Sequence, residues 1–233
     1  MIVKNTGVSI ILNLRKRGFR NVELAKMLGV SRALISQHVQ KLQELGLVDK
    51  GREINLTNSG RIIAEQIHLV NHNLDFLKKD PEFWNRHDLT GIPLHLLFRI
   101  SELECCEVAT SDNELFPYIS RFFEMISDND PIKMITCILL PFNFSLKRID
   151  EAIISESLLE KVSNYGRIYL MKNPRIFCLI SDNAFCMSLP KLSGELDTKA
   201  GLISCDASAV RWGKELFEYL KLNSQSANFS SHP

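Results

Sequence analysis

Six side chains between Asn21 and Leu47, in NVELAKMLGVSRALISQHVQKLQELGL, are typed and spaced to bind a polyanion. Arg32, Ala33, Ser36, Gln37, Gln40 and Lys41 fall on one stripe of a helix, and Ile35, Val39 and Leu42, at i, i+4 and i+7, fall on the other. Side chains of that kind fit a DNA major groove, where amides pair with base edges and cations with phosphate. Ser31, which caps the helix, counts with them.

Such a helix needs a scaffold. Val22, Leu24, Ala25 and Leu28 recur at helical spacing in a preceding helix for which Asn21 reads as the N-cap. Gly29 reads as the left-handed C-cap, and Val30 fills the angle between the two helices. Leu47–Asp49 and Glu53–Leu56 read as strands of a hairpin around Lys50-Gly51-Arg52, a wing whose two cations would touch the phosphate backbone. LTNSGR, Leu56–Arg61, leads from the wing into the next helix. A helix-turn-helix pattern alone is weak, but one that runs on into GLV, a basic hairpin and LTxxG is specific. The alternative is an αα-hairpin followed by an incidental turn. A first helix, Thr6–Arg17, turns Val8, Ile11, Leu12 and Leu14 inward.

The formal charge of +1 hides an asymmetry. Residues 1–60 hold ten Lys and Arg against four Asp and Glu, whereas the other 173 residues hold 18 against 23. Double-stranded DNA would be drawn to the first part and repelled by the acidic stretch 80–130.

Residues 58–79 read as one long helix, stopped at Asp80-Pro81. Ile63, Ile67, Val70, Leu74 and Leu77 step by 4, 3, 4 and 3, an a/d seam suited to a homodimer. Packing against the chain's own second domain is the other reading. His68 and His72 stand i, i+4 on this helix without a third ligand in sight, so no metal is expected.

After a connector, helices and strands alternate: strands at Glu107–Thr110, Lys133–Leu140, Arg167–Met171, Ile176–Ile180 and Ala184–Leu189, helices at Leu94–Leu103, Glu114–Ser127, Lys147–Ser163 and Ala207–Leu222. The expected architecture is mixed α+β or α/β: a winged helix over 1–57, a linker helix over 58–80, an α/β domain with a small sheet over 81–222, and a flexible tail over 223–233. In an open α/β sheet, ligands bind beyond the carboxyl ends of the strands, which points to Ser111, Asn143, Asn173 and Asp182 as contacts for a small polar effector. Each is also a common turn former.

Three separated motifs make the chain similar to a known family. The wing exit LTNSGR, the connector FW-x-x-HDLTGIP-x-x-LL-x-RI (Phe83–Ile100) and the terminal WGKELFEYLK (Trp212–Lys221) resemble those of archaeal winged helix-turn-helix transcriptional regulators whose second domain is named after the filament-formation regulator of methanogens. The resemblance implies a cytoplasmic regulator with an effector-sensing domain similar to one lobe of a phospholipase D-like fold. After Leu192 the sequence SGELDTKAGLIS keeps an acidic residue, Asp197, but departs from the family's glycine-aromatic-aspartate turn.

No enzyme is expected. None of the six histidines is followed two residues later by lysine, as a phospholipase D-like catalyst requires, and there is no GxGxxG, P-loop or GxSxG pattern. No cofactor is implied. The six cysteines show no CxxC spacing and fit a reducing cytoplasm; the longest apolar run, Ile135–Leu140, is too short for a membrane span. Two functions remain: a ligand-responsive DNA-binding regulator, or a winged-helix adapter whose second domain binds a protein.

Overall fold

The computed structural model describes residues 5–127, 129–139, 149–161 and 166–226. The chain divides into two compact units, residues 1–79 and 80–233.

The first unit contains α1 (Thr6–Leu14), α2 (Asn21–Leu28), α3 (Arg32–Glu44), a hairpin of β1 (Val48–Lys50) and β2 (Ile54–Leu56), and α4 (Asn58–Leu77). Local side-chain chemistry sets the helix starts. Asn5 accepts from Gly7 N at 2.8 Å, and Ser31 from Leu34 N at 3.2 Å, each cap worth about 1 kcal/mol. Gly29 ends α2 with φ +67°, the left-handed C-cap. Asn21 is not the cap of α2; Arg20 occupies that position, and its backbone N–H donates to Glu23 Oε2 at 2.8 Å. Glu23, rather than Asn21, therefore satisfies the first turn. Its carboxyl is held below the usual range by that N–H and by Arg17.

Ile10, Leu24, Ile35, Val39 and Ile54 meet in one core with Ala64 of α4, and Ile67 packs against it. The first half of α4 is thus a wall of the winged helix, not a free linker. Thr57 explains the LTxxG exit: its hydroxyl accepts from Gly60 N at 3.0 Å, capping α4, and donates to Gly46 O at 2.7 Å, ahead of the wing. A Cβ at Gly60 would lie 1.8 Å from Leu47 O, so the exit tolerates only glycine.

The second unit begins with α5 (Pro81–Arg86), capped by Asp80 and unforeseen in the sequence, and α6 (Leu94–Leu97). The helix expected over Leu94–Leu103 breaks into α6 and a 3-10 turn, Ile100–Leu103. Then come β3 (Glu107–Thr110), α7 (Pro117–Met125), β4 (Ile132–Thr136), β5 (Ile149–Ser155), β6 (Arg167–Met171), β7 (Phe177–Ile180), β8 (Phe185–Ser188), β9 (Ala200–Ser204), α8 (Ala207–Leu222) and β10 (Gln225–Ser226). The strands form one sheet in the order β10-β6-β5-β4-β7-β8-β9-β3. Among the described residues it has eight strands, where the sequence points to a small sheet, and of their pairings β4–β5 and β5–β6 are parallel and the others antiparallel.

The largest correction is β5. The sequence points to a helix over Lys147–Ser163, yet Ile149–Ser155 is a strand between two others, followed by a 3-10 turn at Glu156–Lys161. Glu and Ala favour a helix, but all of β5 except Asp150 is buried, and β-branched Ile153 and Ile154 fit a strand covered on both faces. Glu151, buried in β5, is met by Lys221 Nζ of α8 at 3.0 Å. Burial pushes its carboxyl up, but Lys221, Lys133 and Arg167 outweigh this and hold it below the usual range.

β9 escapes the sequence because Ala200 and Gly201 carry little strand signal. α8 has the expected limits. Its Asp206 cap accepts from Ser208 N at 2.8 Å, and Trp212, Leu216 and Phe217 are fully buried. Of the tail, residues 225–226 pair with β6; 227–233 lie outside the described residues.

Candidate nucleic-acid interface and a cavity in the second unit

All nine residues expected to contact DNA are exposed: Ser31, Arg32, Ala33, Ser36, Gln37, Gln40 and Lys41 on α3, and Lys50 and Arg52 about the wing turn. Ile35 and Val39 are completely buried and Leu42 nearly so, so α3 is fixed in rotation with its polar stripe outward. Lys50 and Arg52 flank Gly51, whose N–H donates to Glu53 O at 3.1 Å and closes the turn.

Two side chains on the reading face are tied within the domain. Gln40 Nε2 donates to Glu44 Oε1 at 3.1 Å. Asn21 Nδ2 donates to Ser36 Oγ at 3.0 Å across the helix-turn-helix, while Asn21 Oδ1 is buried with no partner among the described residues. The contact of Asn21 with this face is hidden in the sequence. Asn21 lies 15 positions from Ser36, and no local pattern joins them. Val22, expected to face inward, is instead half exposed.

On α4 the five seam residues do not behave alike. Ile67 belongs to the winged-helix core; Ile63, Leu74 and Leu77 are half-buried; Val70 is 63% exposed. Ile62, off the seam, is 62% exposed. His68 and His72 stack with ring centroids 6.3 Å apart, both exposed.

The three expected effector contacts that are described, Ser111, Asn173 and Asp182, do not converge. Antiparallel pairing reverses β7 relative to β4, so Asp182 falls at the opposite end of the sheet from Asn173, where it binds Lys214 Nζ at 2.6 Å. Ser111 shares the end of Asn173 but follows β3, with five strands between β3 and β6, and its hydroxyl caps a turn by accepting from Glu114 N at 3.0 Å. Asn143 lies outside the described residues. The expectation assumed a parallel sheet, in which all carboxyl ends share one edge.

Of the three described contacts, Asn173 lines a cavity of about 390 Å³, together with Cys137, Arg175, Glu195, Leu196 and Thr198 among others. Beside it the connector is joined to two loops. Asp88 N donates to Pro190 O at 2.8 Å and Leu192 N to Arg86 O at 3.1 Å, joining the connector to the 190–198 loop. Arg175 joins the connector to the loop after β6, with Nη1 donating to Thr90 Oγ1 at 2.9 Å and Nη2 3.1 Å from Asp88 Oδ2.

Beneath this junction His87 and Asp197 are buried together. His87 Nδ1 lies 2.6 Å from Phe83 O, and Nε2 lies 3.2 Å from Asp197 Oδ2. Both ring nitrogens of His87 thus lie within hydrogen-bond distance of an oxygen. Asp197 Oδ1 accepts from Lys199 N at 2.9 Å and Ala200 N at 3.2 Å, and Lys191 Nζ stands 3.7 Å away. Burial pushes the Asp197 carboxyl up; the Lys199 N–H, Lys191 and His87 outweigh it and hold it below the usual range. The six cysteines are not uniformly core residues: Cys178 and Cys186 are buried, whereas Cys105 and Cys205 are exposed. No helix among the described residues is long and apolar enough to cross a membrane.

The first unit is a winged helix-turn-helix, the DNA-binding module of transcription regulators, followed by a mixed α+β unit. Residues 6–50 match the model of the bacterial regulatory protein family arsR. The chain is 26% identical over 239 aligned positions to the methanogenesis regulatory protein FilR1 of Methanothrix harundinacea (strain 6Ac), covering 91% of this chain and 54% of the relative. It therefore spans about half the length of that curated relative. Among solved structures, the archaeal chromatin protein TrmBL2 aligns over 97% of this chain and 95% of its own, at 14% identity and a TM-score of 0.41. A ZitR variant of Lactococcus lactis aligns over 36% of this chain and 61% of its own, at 23% identity and a TM-score of 0.29.

Proposed function

We propose that this protein is a sequence-specific transcription regulator that acts as a homodimer and whose second unit binds a small polar ligand. The observation that carries the DNA-binding part is the rotation of α3: Ile35 and Val39 fully buried, Arg32, Ser36, Gln37 and Gln40 exposed on the opposite stripe. In this reading α3 enters the major groove, Lys50 and Arg52 clamp phosphate, and the dimer sets the spacing of two half-sites. Exposed Val70 on α4 supports a dimer contact there, and the cavity at Asn173 supports ligand binding. The resemblance to a methanogenesis regulatory protein agrees with a metabolic input.

The test is selection of a preferred DNA site by the purified protein, followed by Gln37→Ala. The substitution is expected to cost about 1–3 kcal/mol on the selected site and little on random DNA. Equal losses on both would remove Gln37 as a reader of bases. Failure to enrich any site would sink sequence-specific recognition itself.

A further inference from the structure

The cavity lined by the residues after β4, the loop after β6 and the 190–198 loop carries a more specific assignment. We propose that it is the effector site and that its ligand is a small amino-carboxylate, an amino acid or similar zwitterion, gripped by Arg175 and Glu195. This rests on the ligand-responsive reading above and deepens it.

Size and lining both bear on the choice. A volume of about 390 Å³ falls in the small-molecule range of roughly 300–1,000 Å³, toward its lower end. Among the described residues its lining holds one cation, Arg175, and one carboxylate, Glu195. A polyphosphate would need several cations, and its charge would be opposed by Glu195. A neutral sugar would bring no charge of opposite sign to either group. A zwitterion matches both: its carboxylate to the guanidinium fork, its ammonium to Glu195. Thr198 and Asn173 add hydrogen-bonding groups, and Ile138, Pro174, Pro190 and Leu196 offer an apolar wall for a side chain.

Arg175 is available for this. A guanidinium has five N–H donors, and here single contacts engage Thr90 Oγ1 and Asp88 Oδ2. The same cation thus faces the cavity and pins the connector turn, in which Thr90 N donates to Asp88 Oδ1 at 2.8 Å. A carboxylate bound at Arg175 competes with Asp88 for the guanidinium. Occupancy is thereby passed to the connector that follows α4, the differential contact that a ligand needs in order to shift an equilibrium.

The experiment is thermal unfolding of the full chain with the proteinogenic amino acids, their 2-hydroxy acid analogues, their methyl esters, neutral sugars and inorganic phosphate. At least one amino acid is expected to raise Tm, with its hydroxy acid and ester inactive. Glu195→Gln, a near-isosteric change at an exposed position, should weaken that amino acid's binding by roughly tenfold or more, the scale of a charge-assisted hydrogen bond. Arg175→Lys, which keeps the charge but not the fork, should weaken it as well. An amino acid that binds Glu195→Gln unchanged, or an ester or hydroxy acid as effective as the amino acid, overturns the assignment. A response to sugar or phosphate alone overturns it too while leaving the ligand-responsive reading in place. No response to any of these compounds or to a metabolite extract takes both away.

Discussion

Asn21, in the first turn of α2, donates a 3.0 Å hydrogen bond to Ser36 in the middle of α3. This bond uses one lone pair of the Ser36 hydroxyl and leaves its proton for an acceptor outside the protein. In the proposed complex Ser36 would present a donor to the groove, suited to guanine N7 or O6, thymine O4 or a phosphate oxygen. Asn21→Ala frees that rotor. It is expected to weaken binding to the selected site by about 0.5–1.5 kcal/mol, the net worth of a hydrogen bond, and to broaden the base preference beneath Ser36. Competition assays across variants of the selected site check this, and an unchanged preference would show that Asn21 does not orient Ser36.

Lys50 and Arg52 stand exposed on either side of the wing turn. Replacing both with Ala should weaken binding to all sequences and reduce the slope of log affinity against log salt by roughly one unit for each phosphate no longer neutralised. A titration over several salt concentrations measures it. An identical slope would place the wing away from the DNA.

Val70 is 63% exposed, so Lys at that position costs the isolated fold little. Val70→Lys with Leu74→Lys is expected to give a folded monomer with much weaker affinity for a two-half-site operator. Ile67 is left alone because it packs in the winged-helix core. Light scattering reads the outcome, and a persistent dimer would move the interface to the second unit.

The Asp197 carboxyl lies below its ordinary value of 3.8. A depressed carboxylate stabilises the fold at pH values above that ordinary value, and the contribution is lost as pH falls through the folded value. Unfolding followed from pH 7 downward should therefore show a loss of stability of the second unit beginning near pH 4. Asp88 is depressed by the Thr90 backbone N–H, the Thr90 hydroxyl and Arg175, and it contributes with the same sign. Asp197→Asn should lower Tm at neutral pH and make the acid limb shallower. Parallel acid limbs in the two proteins would assign the transition to other carboxylates.

Where the sequence is readable, the determinants are local. α3 and α8 start at Ser31 and Asp206 caps and keep a 3.6-residue apolar period, so both face and limits can be read within a few turns. The wing is legible because two short strands close on Lys50-Gly51-Arg52. Residues governed by distant partners are not. β5 is a strand because β4 and β6 flank it, against the helical preference of Glu151 and Ala152. Asp182 and Asn173 group together only on an assumption of strand direction that antiparallel pairing breaks. The connector's HD pair, taken from the sequence alone, is a motif without a mechanism. His87 meets Asp197 across 110 positions, and Asp88 meets Arg175 across the fold.

Thr57 ties the strand leaving the wing to the residue before it, and Gly60 seats α4 directly on Leu47. The first turn of α4 and the base of the wing are therefore clamped to one another, so that a shift of that turn is expected to move the wing with it. Swapping the hairpin tip should retune phosphate grip without disturbing that transmission, whereas a bulkier residue at Gly60 should decouple the two while sparing the reading face of α3.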